Sequence, residues 1–597
     1  MPDTADESDS WGKLLDDYKV VRDPIHGDIW ISEFESSLID SAAFQRLRHI
    51  RQLGPTYLLY PSANHTRFEH CIGSMYVAQK IVEAVKRNYK NQKKVVKGLE
   101  DKLAKNNLKL FSLDNRDIVL VRIVALVHDA AHVACEHILQ REGGVLKSTQ
   151  WADELRMQYF FEECNIQGRI IDRLSPIVTK DVALEFVNEV KSVLGAIEGV
   201  HPKTHKLVED SESGTPEDTA VTALPRPYIG DIVGNTICAD LLDYVLRDSY
   251  FTGLKLSNEM RLISNFALIG PSKDSARMTL LLVRKGRKRD EVISGTIEFL
   301  RERYYLAERV YYHRVKTAAS AMIIGAVYNY LDCLPRDEKD PKHVKKLIPL
   351  GDDTLLYQMA DDRETPAPAT DYRRLATKNL VSKLEKRELY KPVYMVYSRS
   401  EAKEAAAITD LIKVYSDPKE RYEFQKYVEK LLGPEVSPGS IILYVTRKDL
   451  GKIARTRCLW IDGTTKALDE IAKALPLLRS NLEIMKERYE ALWRLYVFMD
   501  RVLAEKYGEL VAGFCKKKLV ELNDVEEERF ATARPVEEYD LYPLLHVPKD
   551  VRVSREQMEQ FVMSAKQLRP RDDIHKPGVP IEDLEREWTK AVNSNKT

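Results

Sequence analysis

The sequence predicts a mainly α protein: a helical core with small β-hairpins, followed by an α+β C-terminal region. Three observations predict this. Apolar residues recur at helical spacing through most of the first 330 residues. Strand-like pieces there are few and short, near 20–31 and 277–297. Beyond Pro366-Ala367-Pro368-Ala369, strand-like and helix-like segments mix.

The 597 residues exceed one ordinary core. The expected division is a flexible tail at 1–16, a helical domain at 17–335, a connection at 336–370, an α+β region at 371–522 and a charged tail at 523–597. Lys+Arg and Asp+Glu balance at 92 each, which argues against a non-specific nucleic-acid coat protein. The seven cysteines are scattered and lack a C-x-x-C pair, which argues against a disulfide framework or a Cys-type zinc module. The acidic N-terminus is unlike a signal peptide, and no apolar run approaches the roughly 20 residues of a membrane span. The expectation is a cytoplasmic protein with no membrane partner.

In order, Val20 to Ile31 reads as two extended pieces around a Pro24/Gly27 turn. Phe34, Leu38, Ile39, Phe44, Leu47 and Ile50 fit one or two short helices. Asn64 or Thr66 caps a helix running through Tyr76, Val77, Ile81 and Val85, with Arg67 and His70 on one face. The Lys- and Asn-rich residues 86–108 read as exposed. A central helix is expected at about 115–140, with His128 and His132 facing the same way. Residues 151–200 read as helical and 201–228 as a loop. Asp240, Asp243 and Arg247 share a helical face, where Asp243–Arg247 is also a common helix support.

Residues 277–297 read as a hairpin around the basic turn Arg284–Arg289. A long helix is expected from about 296 to 332, with tyrosines and cations interleaved. That face fits either phosphate and base contacts or arginines lying along core tyrosines. In the second region, strands are expected at 390–397 and 441–445, and helices at 402–414, 418–432 and 464–518. No P-loop or strand–GxGxxG–helix unit appears.

The stretch that carries chemistry is Val121 to His132. An apolar run there delivers the adjacent pair His128-Asp129, and His132 and His137 follow. An ionisable pair in so apolar a context is costly unless satisfied. A divalent cation takes imidazole and carboxylate ligands while keeping open positions for water and substrate. His70, His128, Asp129 and Asp240 supply a His-His-Asp-Asp set from three helices. Such a set suits phosphate-ester hydrolysis, with His132 and His137 able to move protons near neutral pH and Arg67 and Arg303 able to neutralise phosphate charge.

This H…HD…D order resembles the HD-domain metal-dependent phosphohydrolases. Within them it is similar to the deoxynucleoside triphosphate (dNTP) triphosphohydrolases (the dGTPases and the enzymes that join a sterile-alpha-motif domain to an HD domain). Asp23-Pro24-Ile25-His26-Gly27, Phe44-Gln45-Arg46-Leu47-Arg48, Arg51-Gln52-Leu53-Gly54, Arg67-Phe68-Glu69-His70-x-x-Gly73, His128-Asp129-x-x-His132 and Asp243-Tyr244-x-x-Arg247-Asp248 carry the resemblance over about residues 18–330. It implies an HD phosphohydrolase domain at 17–335 that binds a divalent ion (Mg, Mn, Fe, Co or Zn) through His70, His128, Asp129 and Asp240. Arg67 and Arg303 then contact the triphosphate, Gln52, Leu53 and Asp248 the sugar, and Tyr244 and Tyr311 the sugar and base. His132, His137 and Asp153 match catalytic positions. Lys19, Asp40, Gln45 and Arg48 match an activating-nucleotide site at a subunit interface, and a homo-oligomer is implied.

The chain departs from the family pattern at Val133-Ala134-Cys135-Glu136, at Gln140 where an acid is expected, at Asp153 where a His is expected and at Leu241 where a basic residue follows the last ligand. Glu142 or Glu154 is the substitute acid if the relay is altered. No sterile-alpha-motif segment is read before the helical domain. The expected activity is cleavage of a dNTP to deoxynucleoside and inorganic triphosphate. The alternatives are a phosphodiesterase or nuclease acting on another nucleotide or single-stranded nucleic acid, and a nucleotide sensor with little turnover.

Overall fold

A computed structural model describes residues 10–135, 137–146, 155–204, 208, 215–255, 260–334, 343–361, 371–397, 402–446 and 455–519. Asp153, Glu154, the Pro/Ala-rich linker and the charged tail from 523 lie outside the described residues.

The chain opens with an antiparallel hairpin, β1 (Asp17–Asp23) and β2 (Gly27–Ser32), in which Val20 faces Trp30. Helix α1 (Glu33–Ile39) follows, with Ser32 and Glu35 forming a capping box. Helix α2 (Arg67–Lys90) buries Phe68, Cys71, Ile72, Met75, Ile81, Val82 and Val85. After β3 (Lys109–Phe111), helix α3 (Asn115–Val127) buries apolar residues on nearly every side, as suits a central core helix. Helices α4 (Lys180–Ile197), α5 (Pro227–Val233) and α6 (Ala239–Thr252) follow. α2 packs against both α3 and α6, and these three helices frame the candidate site.

Strands β4 (Phe266–Gly270) and β5 (Arg277–Leu281) lead to a short hairpin, β6 (Val283–Arg284) and β7 (Arg287–Lys288). Two helices come next, α7 (Asp290–Leu306) and α8 (Arg314–Cys333). The later chain contains α9 (Asp352–Ala360), α10 (Tyr372–Glu385), β8 (Lys391–Tyr397), α11 (Ala402–Tyr415), α12 (Pro418–Leu432), β9 (Ile441–Val445), β10 (Arg457–Leu459), β11 (Thr465–Ala467), α13 (Pro476–Glu490), β12 (Arg494–Met499) and α14 (Arg501–Leu519). The fold is mainly α with small sheets. One sheet has the order β11-β10-β5-β4-β3, and in it β10 pairs parallel with β5, Cys458 facing Leu280. A second sheet, β8-β12-β9, is antiparallel. α8 packs on α10. No helix among the described residues is long and apolar enough to cross a membrane.

Four expectations need correction. The central helix stops at Val127, and the chain turns from Asp129 onward, so His128 and His132 do not share a helical face. The long helix of 296–332 is two helices separated by a wide turn at Ala307–Tyr311, and His313 restarts the second by accepting from Val315 N. The hairpin's return strand ends at Lys288, where Asp290 and Glu291 begin α7; β5 pairs instead with β4. The helical span 464–518 contains β11 and β12. β12 is the buried centre of its sheet, and a buried strand is uniformly apolar rather than alternating.

Glu429 on α12 illustrates a buried acid in this second region. Its carboxyl accepts from Ile441 N at 3.0 Å and from Tyr372 Oη. Burial pushes it up from 4.5 to about 7, against the lowering effect of these hydrogen bonds. The folded chain therefore holds this proton to higher pH than the unfolded chain does. Stability present below pH 4.5 is lost as pH rises to about 7, by on the order of 3 kcal/mol. Urea midpoints measured across this interval should fall for the wild type and stay flatter for Glu429→Gln.

Candidate metal centre

Three helix ends converge. α2 begins at Thr66, whose backbone N–H donates to Glu69 Oε2 at 3.0 Å in a capping box. Thr66, not Asn64, is the cap; Asn64 Oδ1 lies 3.4 Å from Arg51 Nε. This start turns Arg67 and His70 into the core, where both are buried. α3 ends at His128, whose Nδ1 sits 2.8 Å from Ala125 O, leaving Nε2 to face the cluster. α6 offers Asp240 from its first turn, where the helix dipole favours a carboxylate.

His70, His128 and Asp240 each present one ligand atom, all within 4.8 Å of one another. His70 Nε2 is 3.0 Å from Asp240 Oδ1, and His128 Nε2 is 3.6 Å from the same oxygen. Both Nε2 atoms are buried and, among the described residues, lack a hydrogen-bond partner. Orphaned imidazole nitrogens aimed at a carboxylate fit a cation ligand set, and the group could hold a divalent ion. Asp129 stands beside it: Oδ1 is 3.6 Å from His128 Nε2, and Oδ2 is 3.8 Å from His70 Nε2 and bonded to Arg67.

The electrostatics match. Burial disfavours a charged His70, but Asp240 and Asp243 outweigh it and push the imidazole up to about 10. His128 is raised against the same burial by Asp129 and Asp240. Burial would raise Asp240, yet the two imidazoles hold it low. Asp129 is likewise held well below the carboxylate range, against burial, chiefly by Arg67 and His132.

Behind His70 stands a fully buried brace. Asp243 Oδ2 accepts from His70 Nδ1 at 2.8 Å, and Asp243 Oδ1 lies 2.7 Å from His26 Nε2. Arg247 grips Asp243 with two bonds of 2.8 and 2.9 Å and reaches Asp23 Oδ2 at 2.8 Å. A carboxylate on the far nitrogen fixes the tautomer and plane of a ligating imidazole. The brace crosses α2 at Gly73. A Cβ there would come within 2.8 Å of Asp243 Cγ, and closer still to Asp243 Oδ1 and Arg247 Nη2.

The turn after Asp129 is held from outside. Arg46 Nη2 donates to Ala130 O and His132 O, and Nη1 to Leu350 O. Asp352 accepts from Cys135 N at 3.1 Å and Arg51 N at 2.8 Å, tying this turn to the Arg51-Gln52-Leu53 segment. Cys135 has φ of 54°. These bonds replace the helical ladder that a helix continuing past Val127 would have supplied. His132 Nδ1 lies 3.3 Å from Asp129 Oδ1, and the rings of His132 and His137 are 5.4 Å apart. Glu142, a candidate substitute acid, is bound by Lys316 and by Tyr444 Oη.

The substrate candidates form two linked pairs. Arg303 Nε donates to Tyr244 Oη at 2.9 Å. Asp248 accepts from Tyr311 Oη at 2.6 Å and lies 2.8 Å from His65 Nε2. Gln52 N donates to His65 O, and the buried Gln52 Oε1 has no hydrogen-bond partner among the described residues. Leu53 packs at the edge of the main core. The four candidate activator residues lie near the surface: Lys19 meets Asp40 at 3.1 Å, and Arg48 meets Gln45 at 2.8 Å and stacks on Phe68.

With this geometry in view, similarity to known proteins takes on meaning. No protein-family model matches the chain. It is 25% identical over 391 residues to human deoxynucleoside triphosphate triphosphohydrolase SAMHD1, covering 64% of this chain and 55% of that protein. The chicken protein of the same name is 25% identical over 400 residues, covering 64% and 56%. An uncharacterized protein, MJ1154 of Methanocaldococcus jannaschii, is 28% identical over 378 residues, covering 62% and 59%. The chain is thus similar, at low identity, to proteins named as dNTP triphosphohydrolases. It spans little more than half the length of these curated relatives.

Several structural roles around this site have no local signal in the sequence. Asp23, His26 and Arg247 lie in quoted motifs, yet their convergence on Asp243 needs three elements far apart in sequence. Asp243 itself read as a helix support; it also bonds the imidazole of His70. His65 gave no signal beyond its place beside Thr66-Arg67.

Proposed function

We propose that the chain is a metal-dependent HD-type phosphohydrolase that cleaves dNTPs to deoxynucleoside and inorganic triphosphate. The observation that carries this reading is the convergence of His70 Nε2, His128 Nε2 and Asp240 Oδ1 from three helices. The similarity to enzymes named for that reaction supports it. Asp129 completes the ligand set. A bound divalent ion supplies Lewis acidity at the phosphoryl group and acidifies water in the site.

The chain's own residues do the rest. Arg67 and Arg303 bring guanidinium charge to the triphosphate. Asp248 and Gln52 recognise the sugar 3′-hydroxyl, while Leu53, Tyr244 and Tyr311 enclose the sugar and base. His132 and His137 move protons for the attacking water and leaving oxygen; Asp153 is a further candidate for that relay. Lys19, Asp40, Gln45 and Arg48 take an activating nucleotide in a homo-oligomer, with the chain working in the cytoplasm.

The test is product analysis with the four dNTPs and Mg²⁺, Mn²⁺ or Co²⁺ added singly, with and without GTP. Equal release of deoxynucleoside and inorganic triphosphate is expected. Absence of triphosphate under every condition overturns the reading. Cleavage of bis(p-nitrophenyl) phosphate or single-stranded DNA in its place assigns the site to phosphodiesters.

A further inference from the structure

His65 has no part in the metal centre, yet it meets two residues read as sugar contacts, Gln52 and Asp248. A short antiparallel pairing sets its backbone. Gln52 N donates to His65 O at 3.0 Å, Arg67 N donates to Ile50 O at 2.9 Å, and Arg51 bridges to Thr66 between them. The His65 side chain is fully buried, and its Nε2 lies 2.8 Å from Asp248 Oδ1. The ring stacks on Phe251, one turn further along α6, with centroids 4.6 Å apart and planes 15° from parallel. Ser62 Oγ donates to Phe251 O at 2.5 Å, which ties that turn to the segment before His65. α6 carries Asp240, Tyr244 and Asp248 at i, i+4 and i+8. One stripe of this helix therefore runs from the metal centre to His65, about 12 Å along the axis.

Asp248 is left incomplete by its protein partners. A carboxylate offers about four lone-pair positions. The buried Asp243 fills them with His26, His70 and two bonds from Arg247. Asp248, 2% exposed, takes only His65 Nε2 and, at 2.6 Å, Tyr311 Oη among the described residues. Burial, and then Asp248, push the Tyr311 phenol well above its ordinary value, so it remains a donor. Two more polar atoms, on the residues paired at the backbone, are buried with no hydrogen-bond partner among the described residues: Gln52 Oε1 and His65 Nδ1. Buried polar groups are rarely left so in a plain core. A ligand hydroxyl, which both donates and accepts, suits such a corner.

We propose that His65 is the positioning residue that aims Asp248 at the sugar 3′-hydroxyl, and so sets the preference of the site for a 3′-hydroxyl over a 3′-deoxy sugar. The imidazole holds Oδ1 and Phe251 holds the plane of the imidazole. Nε2 donates to the carboxylate, which fixes the tautomer. Each Asp248 oxygen keeps a lone pair for the incoming hydroxyl. The inference rests on the proposed nucleotide reading of the site and deepens it.

Isothermal titration calorimetry of the full chain tests it, with each of the four dNTPs and its 2′,3′-dideoxy counterpart, in EDTA to withhold turnover. The wild type should bind a dNTP about 10–100-fold more tightly than the dideoxy form, as expected for one hydrogen bond to a charged group. His65→Ala should cut that preference to about threefold or less, by weakening dNTP binding and leaving dideoxy binding nearly unchanged. His65→Gln, which keeps an N–H donor, should recover part of it. Asp248→Asn should match His65→Ala, and the double variant should lose no more than Asp248→Asn alone, because both act through one contact. Phe251→Ala, at a half-buried position, should lower the preference by a smaller factor and serves where His65→Ala does not fold. A His65 with only a structural role would lower the unfolding midpoint and leave the ratio untouched. The proposal is overturned if the wild type binds no dNTP or binds both forms equally, or if the losses add in the double variant. It is also overturned if His65→Ala, or Phe251→Ala in its place, keeps the wild-type ratio. A wild type that shows the preference but releases no triphosphate once metal is restored overturns the proposed reaction and leaves the role of His65 standing.

Discussion

Under the proposed function, Asp240→Asn is expected to reduce dNTP hydrolysis by about three orders of magnitude, with His70→Ala and His128→Ala close behind. The amide keeps the shape of the carboxylate but removes the charge that both imidazole Nε2 atoms face at 3.0 and 3.6 Å. The two histidines then hold a cation with no carboxylate opposite them beyond Asp129, which is already committed to Arg67. The loss should appear in kcat at saturating substrate and should not be recovered by raising Mn²⁺ to practical concentrations. Asp243→Asn gives the contrast. It leaves every ligand atom in place but loosens the brace on His70 Nδ1, so a milder loss of about 10–100-fold is expected. Equal losses in Asp240→Asn and Asp243→Asn would contradict the separation of ligand from brace.

The second large effect is on stability. Gly73→Ala adds one methyl group where Asp243 and Arg247 leave no space. Neither partner can retreat cheaply, since Asp243 also holds His26 and His70, and Arg247 also holds Asp23. Separating them leaves fully buried charges uncompensated, which costs about 3–5 kcal/mol. Arg247→Ala should cost a similar amount, because it strands Asp243 and Asp23 together. Urea unfolding followed by circular dichroism measures both; a midpoint for Gly73→Ala equal to the wild type contradicts the assigned packing.

The sequence made some parts of this molecule legible and hid others for physical reasons. α2 was readable because its cap at Thr66-x-x-Glu69 and its periodicity agree locally, and α6 because its periodicity and the charged face Asp240-x-x-Asp243 do. The cluster of His70, His128 and Asp240 was expected from motif order, and the structure brings those three together. The end of α3 was not readable. Nothing in Val127-His128-Asp129-Ala130 breaks a helix; Arg46 and Asp352, distant in sequence, hold the turn that follows. β12 was hidden because a strand buried on both faces does not alternate, and helices flank it. The pairing of β10 with β5 joins segments almost 180 residues apart, which no local pattern can reveal.

The central claim is that His70, His128 and Asp240, with Asp129, form one divalent-metal site. It is tested most directly by counting the metal bound to the purified chain after dialysis, by inductively coupled plasma mass spectrometry, with the His128→Ala/Asp240→Ala double variant alongside. One equivalent per chain in the wild type and none in the folded double variant is the predicted result. A wild type that retains no metal after reconstitution with Mn²⁺, Fe²⁺, Co²⁺ or Zn²⁺, or a double variant that retains a full equivalent, would contradict it.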